Sequence, residues 1–191
     1  MADKVNIGCE AFLYPMPVTL VGSRVGEKVN FMAVAWVTRV NFRPPALAVS
    51  LNKMHYTPLG ILENRTYSVN VPGTDQIEET DYCGLVSGKK RDKSQVFEVF
   101  YGETGTAPMI KACPLCVECR LLDVYELPTN SLYIGEVVGV YSEERYLTEG
   151  KPDIEKIRPF SLSMPDNRYW GVGDFLGKAW GAGKGLKEAR E

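Results

Sequence analysis

The sequence predicts a mainly β protein, an antiparallel closed or nearly closed barrel with a few short inserted helices. Segments rich in Val, Tyr, Phe and Thr recur along the chain, separated by Gly, Pro or Asn, as is typical of strands. Helical signals are fewer. Six or more antiparallel strands favour a barrel over a layered α/β sheet, because a barrel removes exposed sheet edges. The predicted strands are residues 18–21, 29–38, 46–51, 66–71, 116–127 and 131–141.

One of these segments shows the antiparallel pattern clearly. Its alternate apolar residues are Val117, Cys119 and Leu121. Glu118 and Arg120 stand between them. This alternation is typical of a strand with one buried face and one face mostly in water. We therefore expect Glu118 and Arg120 on the solvent side of the barrel wall.

Two helix starts can be recognised. Thr57 followed by Pro58 is typical of an N-cap with proline at the first helical position. Leu59 and Leu62 would then form a short apolar stripe on this helix. A second start lies at Thr74, where acidic residues in the following turns complement the helix dipole. Both helices are expected to be short.

Composition and charge limit the class of protein. The chain has 191 residues, 45% of them hydrophobic, and a formal net charge of −2. These values predict a single domain over residues 1–191, with about 181–191 as a mobile C-terminal tail, and make nucleic acid an improbable partner. No apolar run approaches the ~20 residues of a membrane span, and the N-terminus lacks the plan of a secretory signal. Five cysteines, an odd number at low density, favour a reducing compartment, so we expect a cytoplasmic protein.

Several short motifs are rejected as functional signals. The glycines from Gly171 onward have the wrong spacing for a dinucleotide fingerprint. The only histidine, His55, is interpreted as a surface or loop imidazole. Cys113, Cys116 and Cys119 have the spacing of metal ligands, but in a strand Cys113 and Cys119 would face opposite to Cys116. We therefore predict no metal site and interpret these cysteines as small buried residues of the barrel wall.

A set of motifs in one order along nearly the whole chain resembles the flavin reductase-like, FMN-binding split-barrel family, and particularly its flavoredoxin branch. The motifs are Asn30 to Trp36, Arg43 to Leu51, Tyr56-Thr57, Tyr67 to Pro72, Asp81 to Gly84, Ser87 to Lys93, Glu118 to Leu121, Ile134 to Val137, Arg158 to Phe160 and Pro165 to Arg168. The resemblance implies an antiparallel split barrel of six to seven strands. It also implies a homodimer with one non-covalent FMN per subunit near the interface.

The resemblance implies a set of cofactor-binding residues. Those along the isoalloxazine are Asn30, the backbone of Met32, Ala33, Val34 and Ala35, and Trp36. Those around the ribityl phosphate are Ser50, Leu51, Asn52, Lys53 and Thr57. Lys89 and Lys93 are expected near the flavin or its phosphate, and Phe160 also belongs to the set. Asn130 stands where the family pattern has histidine, so it can hydrogen-bond a flavin edge but cannot relay a proton near neutral pH.

Physical chemistry supports this assignment on separate grounds. A phosphate needs convergent N–H donors, a hydroxyl and a cation, which residues 50–57 supply where they enter a helix. Small residues at Ala33 and Ala35 allow a flavin to approach the backbone closely. Trp36 either covers the flavin or is a core tryptophan. The lysines from Lys89 to Lys93 either approach the cofactor or form a solvated helix end.

Three functions remain open from the sequence. The first is an NAD(P)H-dependent flavin reductase, in which NADH or NADPH passes a hydride to the flavin. The second is a flavoredoxin-type electron carrier that serves redox protein partners and has no NAD(P)H site of its own. The third is an FMN-storing barrel without turnover. The aromatic stretch 169–180 is expected either to pack on the partner subunit or near the flavin, or to cap the core.

Overall fold

The computed structural model of the protein describes residues 3–10 and 12–188. Helices within these residues are α1 (Thr57–Asn64), α2 (Ile77–Leu85), α3 (Ile154–Ile157) and α4 (Lys184–Glu188). The strands are β1 (Met16–Pro17), β2 (Thr19–Val25), β3 (Lys28–Val34), β4 (Val37–Asn41), β5 (Ala46–Asn52), β6 (Thr66–Val71), β7 (Val99–Phe100), β8 (Met109–Ile110), β9 (Leu115–Glu126), β10 (Asn130–Ser142), β11 (Leu147–Thr148), β12 (Lys151–Pro152), β13 (Phe160–Ser163) and β14 (Arg168–Gly171).

Seven strands form one antiparallel sheet in the order β3-β2-β6-β9-β10-β5-β4. Its two edge strands, β3 and β4, are consecutive in the chain and are joined by Ala35 and Trp36. The predicted single strand 29–38 is therefore wrong, because β3 pairs with β2 whereas β4 pairs with β5. The mainly β, antiparallel barrel class with short helices is confirmed. The split between β3 and β4 lies at residues that the sequence assigned to the flavin.

The barrel interior is a continuous apolar core. Its largest fully buried side chain is Tyr67 on β6, and Val21, Val49 and Leu51 pack in the same cluster. Ile61 of α1 joins this core. Residues of β2, β5 and β6 thus meet in one interior, which is the packing that a barrel requires.

Helix α1 forms where predicted, but two details differ. Thr57 is its first helical residue, and the N-cap is Tyr56, which makes no side-chain capping bond. The expected apolar stripe is wrong, because Leu59 and Leu62 are both 49% exposed. The buried face instead contains Gly60, where a Cβ would come within 2.4 Å of the Arg24 carbonyl oxygen. The helix therefore packs through close contact between Gly60 and the backbone of β2, and not through buried leucines.

Glu118 on β9 was expected to face solvent, and this prediction is wrong. Its side chain is fully buried, whereas Arg120 is exposed as predicted. The carboxylate accepts hydrogen bonds from the backbone N–H groups of Glu103 (3.0 Å) and Thr104 (2.9 Å). It also accepts from the Thr104 hydroxyl (2.6 Å) and from the Tyr141 hydroxyl (3.1 Å). A loop outside the barrel therefore closes over this strand and satisfies the buried charge.

The cysteines of β9 lie in two different clusters. Cys119 faces the barrel core, while Cys116 packs outside the sheet. Cys113 precedes the strand and packs with Cys116, so its expected position on the Cys119 face is wrong. Burial raises the pKa of Cys116 and of Cys119 to about 12, which keeps both thiols neutral. Within the described residues, no three His, Cys, Asp or Glu side chains are grouped so as to hold a metal ion.

The chain ends in an exposed arm after the β13–β14 hairpin. Tyr169 anchors the hairpin by donating to an oxygen of Asp81 on α2 (2.8 Å). Beyond it, Phe175, Leu176 and Trp180 are 72%, 98% and 96% exposed. Part of the predicted mobile tail, residues 181–191, forms helix α4, and residues 189–191 lie outside the described part. Over the described ranges, no helix is long and apolar enough to cross a membrane.

Candidate functional site

A cavity of about 230 Å³, called here the Thr57 cavity, brings together five of the sequence-predicted site residues. Strand β3 supplies one wall, and the first residue of α1 supplies another. The end of α2 and the segment after it complete the lining. The five predicted residues are Asn30, Met32, Ala33, Thr57 and Lys93, and the others are His55, Tyr56, Cys83, Gly84, Leu85, Val86, Ser87 and Gly88.

Thr57 and Asn30 form a buried hydrogen-bonded pair in this cavity. The Asn30 amide Nδ2 donates to the Thr57 hydroxyl over 2.8 Å, and the two residues are 2% and 1% exposed. The Thr57 hydroxyl hydrogen remains available as a donor. The buried Oδ1 of Asn30 has no hydrogen-bond partner among the residues that the structure describes. A buried polar atom of this kind costs free energy unless a ligand or a rotated amide satisfies it.

Lys93 places a buried positive charge at the same cavity. Its residue is 3% exposed, and its Nζ donates to the carbonyl oxygens of Cys83 (3.3 Å) and Val86 (3.1 Å). Among the described residues it forms no ion pair with a carboxylate. Desolvation lowers its pKa. Because an ammonium has three donors, one N–H is left for an anionic ligand.

His55 is an exposed residue of the loop before α1, as the sequence indicated, and it also lines this cavity. Burial lowers the pKa of His55, and the charges of Lys89 and Lys93 lower it further. The Lys89 Nζ donates to the carbonyl oxygen of Met54 (3.0 Å) in the loop before α1. Two basic residues, His55 and Lys93, therefore line the cavity, and Lys89 lies outside its lining but close enough to affect His55. The sequence contained one indication of this position, because His55 lies between Lys53 and Thr57 in the segment assigned to the phosphate.

A second cavity of about 670 Å³, called here the Trp36 groove, contains three more predicted residues, Ala35, Trp36 and Ser50. Trp36 is 47% exposed, so its interpretation as a core tryptophan is wrong. The remaining lining residues come from the N-terminal segment and from strands near the split in the barrel. They are Phe12, Leu13, Pro15, Met16, Pro17, Val37, Thr38, Ala48 and Leu132.

The ends of β5 and β10 place further predicted residues near the groove. The Asn130 amide Nδ2 donates to the Ser50 hydroxyl over 3.3 Å, across the paired strands. Asn52 uses its Oδ1 to accept from the backbone N–H of Met54 (2.9 Å). Lys53 is exposed and forms an ion pair with Glu126 over 2.6 Å. The Asn52 and Lys53 side chains therefore stabilise the loop, and neither lines a cavity.

Seven of the fifteen predicted residues line neither cavity, and these are Asn52, Lys53, Lys89, Asn130, Val34, Leu51 and Phe160. The last three are buried. Val34 and Leu51 face the barrel core, at 5% and 0% exposure. Phe160 is buried on β13, where its ring packs edge-on against Tyr169 with centroids 5.3 Å apart. Val34 and Leu51 can contribute only backbone atoms to a ligand. Phe160 packs within the C-terminal hairpin, and its carbonyl oxygen accepts from the backbone N–H of Val18 (3.2 Å).

Comparison with known proteins agrees with this geometry. The model of the flavin reductase like domain matches residues 11–152, which is most of the chain. The chain therefore belongs to the flavin reductase-like family, and the predicted resemblance is confirmed. The matched residues include the two edge strands of the barrel, β3 and β4.

Solved structures extend the similarity to the whole fold. The flavoredoxin of Methanosarcina acetivorans is 57% identical, with a TM-score of 0.95, and the match covers 97% of this chain and 100% of that one. The flavoredoxin of Desulfovibrio vulgaris (Miyazaki F) is 34% identical, with a TM-score of 0.89 over 95% and 100% of the two chains. An FMN-binding protein of Thermus thermophilus is 26% identical, with a TM-score of 0.79 over 93% and 98%.

Proposed function

We propose that the chain binds FMN without a covalent bond and holds the phosphate in the Thr57 cavity. The observation that carries the proposal is the buried Lys93 ammonium, which shares this cavity with Thr57 and has no carboxylate partner in the described residues. A phosphate supplies the missing negative charge and accepts from both groups. The N-terminus of the eight-residue helix α1 adds the positive end of its dipole.

Asn30 fits the same ligand. The Asn30 amide nitrogen donates to the Thr57 hydroxyl, so the single hydroxyl hydrogen of Thr57 is free to donate to the phosphate. If the amide oxygen and nitrogen were exchanged, Thr57 would donate to Asn30, and the Asn30 N–H would replace Thr57 as the donor to the phosphate. Lys89, whose charge helps to lower the pKa of His55, adds positive charge near the cavity. The donor set therefore suits a dianion.

The isoalloxazine ring is assigned to the Trp36 groove. Ala33 lines the Thr57 cavity and Ala35, two residues further along, lines the groove. Two residues of extended chain span about 7 Å, so one ligand can reach both. The small side chains permit close approach to the backbone, and Trp36 offers an aromatic face. FMN, when bound, supplies the hydride and electron-transfer chemistry, while these residues hold and orient it.

For the reaction, we propose an NAD(P)H-dependent flavin reductase type of oxidoreductase, with NADH or NADPH as the electron donor. Membership of the flavin reductase-like family supports this reading. The alternative is a flavoredoxin-type electron carrier between redox protein partners, which the 57% identity to a flavoredoxin supports. Both functions use the same flavin site and differ only in what delivers the electrons.

We further propose a cytoplasmic homodimer with FMN near the subunit interface. Four buried cysteines, Cys83, Cys113, Cys116 and Cys119, are free thiols, which suits a reducing compartment. The exposed arm carries Phe175, Leu176 and Trp180, and a second subunit is the partner that would bury them.

Purified protein tests these proposals in two steps. A flavin absorption spectrum of the protein, with the flavin released by denaturation and identified as FMN, supports the cofactor assignment. A colourless protein that does not take up FMN contradicts it. Anaerobic titration with NADH and NADPH then separates the reactions. Bleaching of the bound flavin supports the reductase. Flavin that stays oxidised with both nucleotides, but is reduced by dithionite, supports the carrier.

The phosphate assignment has its own test. Riboflavin lacks the phosphate of FMN, so Lys93→Met should weaken FMN binding strongly and riboflavin binding little. Lys111→Met is a matched control, because Lys111 is exposed and paired with Glu98 away from both cavities. Equal weakening of FMN and riboflavin by Lys93→Met would remove the phosphate from this cavity.

A further inference from the structure

A third cavity of about 470 Å³, called here the Cys116 cavity, lies beside β9 on the outer side of the sheet. Cys113 and Cys116 both line it, although the two residues are only 4% and 1% exposed. The rings of Phe100 and Tyr141 form an apolar wall, packed edge-on with centroids 5.7 Å apart. Within the described residues, this cavity shares no lining residue with the Thr57 cavity or the Trp36 groove. Its volume suits a small molecule, which can reach both thiols without entering the proposed flavin site.

The two cysteines lie beside each other because the chain bends between them. Residues 113 and 114 form a bend, and β9 begins directly after it. The Cys116 Sγ lies 3.8 Å from the Cys113 carbonyl oxygen and 3.3 Å from the Ile110 carbonyl oxygen. The backbone N–H of Cys113 donates to the same Ile110 oxygen over 3.1 Å. The Cys116 sulfur therefore lies against residue Cys113, and both side chains pack in one apolar cluster.

The surroundings give the reduced pair no stabilising charge. Burial raises the pKa of Cys116 to about 12 and also raises the pKa of Cys113 well above its usual value. Lys111 at the edge of the cavity is paired with Glu98 over 2.7 Å. Stabilisation of a thiolate by nearby positive charge is what keeps some protein dithiols reduced, and it is missing from this pair. A disulfide is uncharged and suits the same apolar site.

We propose that Cys113 and Cys116 form a redox-active pair, which an uncharged low-molecular-weight disulfide oxidises from the Cys116 cavity. The thiolate of Cys113, the more exposed of the two, attacks one sulfur of the reagent, and the other sulfur leaves and takes up a proton as a thiol. The Cys116 sulfur then attacks Cys113 Sγ, which closes the disulfide and releases a second thiol with the second proton. The pair loses two electrons and two protons, and the reagent becomes two thiols. This site does not depend on the proposed flavin function.

The test oxidises the folded full-length chain with hydroxyethyl disulfide and maps the product by mass spectrometry. The reaction is run near pH 9, because a higher pH increases the thiolate fraction of a buried thiol, and the remaining thiols are then alkylated in denaturant. Trypsin and a glutamate-specific protease together release residues 112–118, which keep Cys113 and Cys116 on one peptide and separate them from Cys119. We expect this peptide to carry no alkyl group and to be two hydrogen atoms lighter than the reduced peptide. Dithiothreitol should restore both thiols.

Three other products would overturn the proposal. Peptide 112–118 joined to the peptide of Cys119 would show a different pairing within β9. Peptide 112–118 joined to the peptide of Cys83, which packs in the same cluster, would also assign the bond to another pair. Two alkylated thiols on peptide 112–118 would show that the folded chain does not oxidise at this site.

Two variants test the order of the steps and the role of the cavity. In Cys116→Ser the second step cannot occur, so a hydroxyethyl adduct should accumulate on Cys113, and its absence would contradict attack by Cys113 from this cavity. Cys119→Ser is the matched control, because Cys119 lies on the same strand but faces the barrel core, and it should form the bond as the unmodified chain does.

The FMN content of each sample separates this proposal from the cofactor assignment. We expect the disulfide to form to the same extent with and without bound FMN, because the Cys116 cavity is distinct from both cavities assigned to the cofactor. A chain that forms the disulfide but does not take up FMN would contradict the proposed function and leave the redox pair established. A chain that binds FMN but keeps both thiols would reject the redox pair alone.

Discussion

The Thr57 hydroxyl has two roles that can be tested with one variant, Thr57→Val. It stabilises the fold through its bond with Asn30, and we propose that it binds the phosphate of FMN. In the folded protein this hydroxyl accepts from the Asn30 amide over 2.8 Å at a site where both residues are buried. Valine keeps the shape but leaves an amide N–H without a partner. That loss should cost about 1–3 kcal/mol of unfolding free energy. For a chain of this size it corresponds to a fall in Tm of roughly 2–4 °C per kcal/mol.

Thr80→Val is the matched control for stability. Thr80 is fully buried on α2, but its hydroxyl has no hydrogen-bond partner and does not line the Thr57 cavity. Removing an unpartnered buried hydroxyl should leave stability unchanged or increase it. Urea unfolding of the two FMN-free variants compares the same chemical change in two environments. Equal stabilities would refute the claim that the bond between Thr57 and Asn30 stabilises the fold.

The same variant tests the cofactor site. Loss of one hydrogen bond to a charged group costs about 1.5–3 kcal/mol, so Thr57→Val should weaken FMN binding about ten- to a hundredfold in a fluorescence titration. Thr80→Val should bind FMN as the unmodified protein does. An unchanged dissociation constant for folded Thr57→Val would remove Thr57 from the site.

Further predictions concern the groove, the cavity and the buried charges. Trp36→Ala should fold, because this residue is half-exposed, and should make bound FMN brighter and about fivefold looser; unaltered flavin fluorescence would exclude ring contact. Burial, followed by the charges of Lys89 and Lys93, lowers the pKa of His55, and a bound phosphate would raise it, so FMN affinity should increase as pH falls from about 8 to 6, more than in His55→Gln; parallel pH profiles would contradict this contact. Glu118→Gln should lose about 1–3 kcal/mol in urea unfolding, because each carboxylate oxygen accepts two hydrogen bonds and the amide nitrogen that replaces one oxygen can accept neither of its two; a cost near zero would refute that. Cys113→Ser and Cys116→Ser should leave FMN content unchanged, and a stoichiometric iron or zinc signal lost in these variants would contradict the structural interpretation.

Local sequence patterns predicted most of the barrel. Apolar alternation and turn residues located β5, β6, β9 and β10 to within one or two residues, because strand propensity and burial of one face act over a few neighbouring positions. The order of these strands in the sheet depends on pairing between distant segments. In β9, the pattern placed Cys119 in the core but also placed Glu118 in water.

The candidate site shows the same division. The family resemblance implied that Thr57 holds the flavin phosphate and that Lys93 lies near the flavin or its phosphate. Their hydroxyl and ammonium groups suit these roles, because donor chemistry is a property of the side chain. The sequence did not indicate that His55 lines the same cavity, or that Lys53 is held by Glu126. Those facts depend on how the loop before α1 folds against β10 and the end of α2.

What the sequence by itself determined is the antiparallel β class, the family and the types of group available to hold a flavin phosphate. Tertiary structure decided which of those groups meet. The break between β3 and β4 brings Ala35 and Trp36 to the surface, because each strand pairs with a different neighbour. Glu118 is buried because a loop 14 residues away in sequence donates its hydrogen bonds. Contacts between residues so far apart in sequence depend on how the whole chain packs. A local sequence pattern therefore cannot predict them.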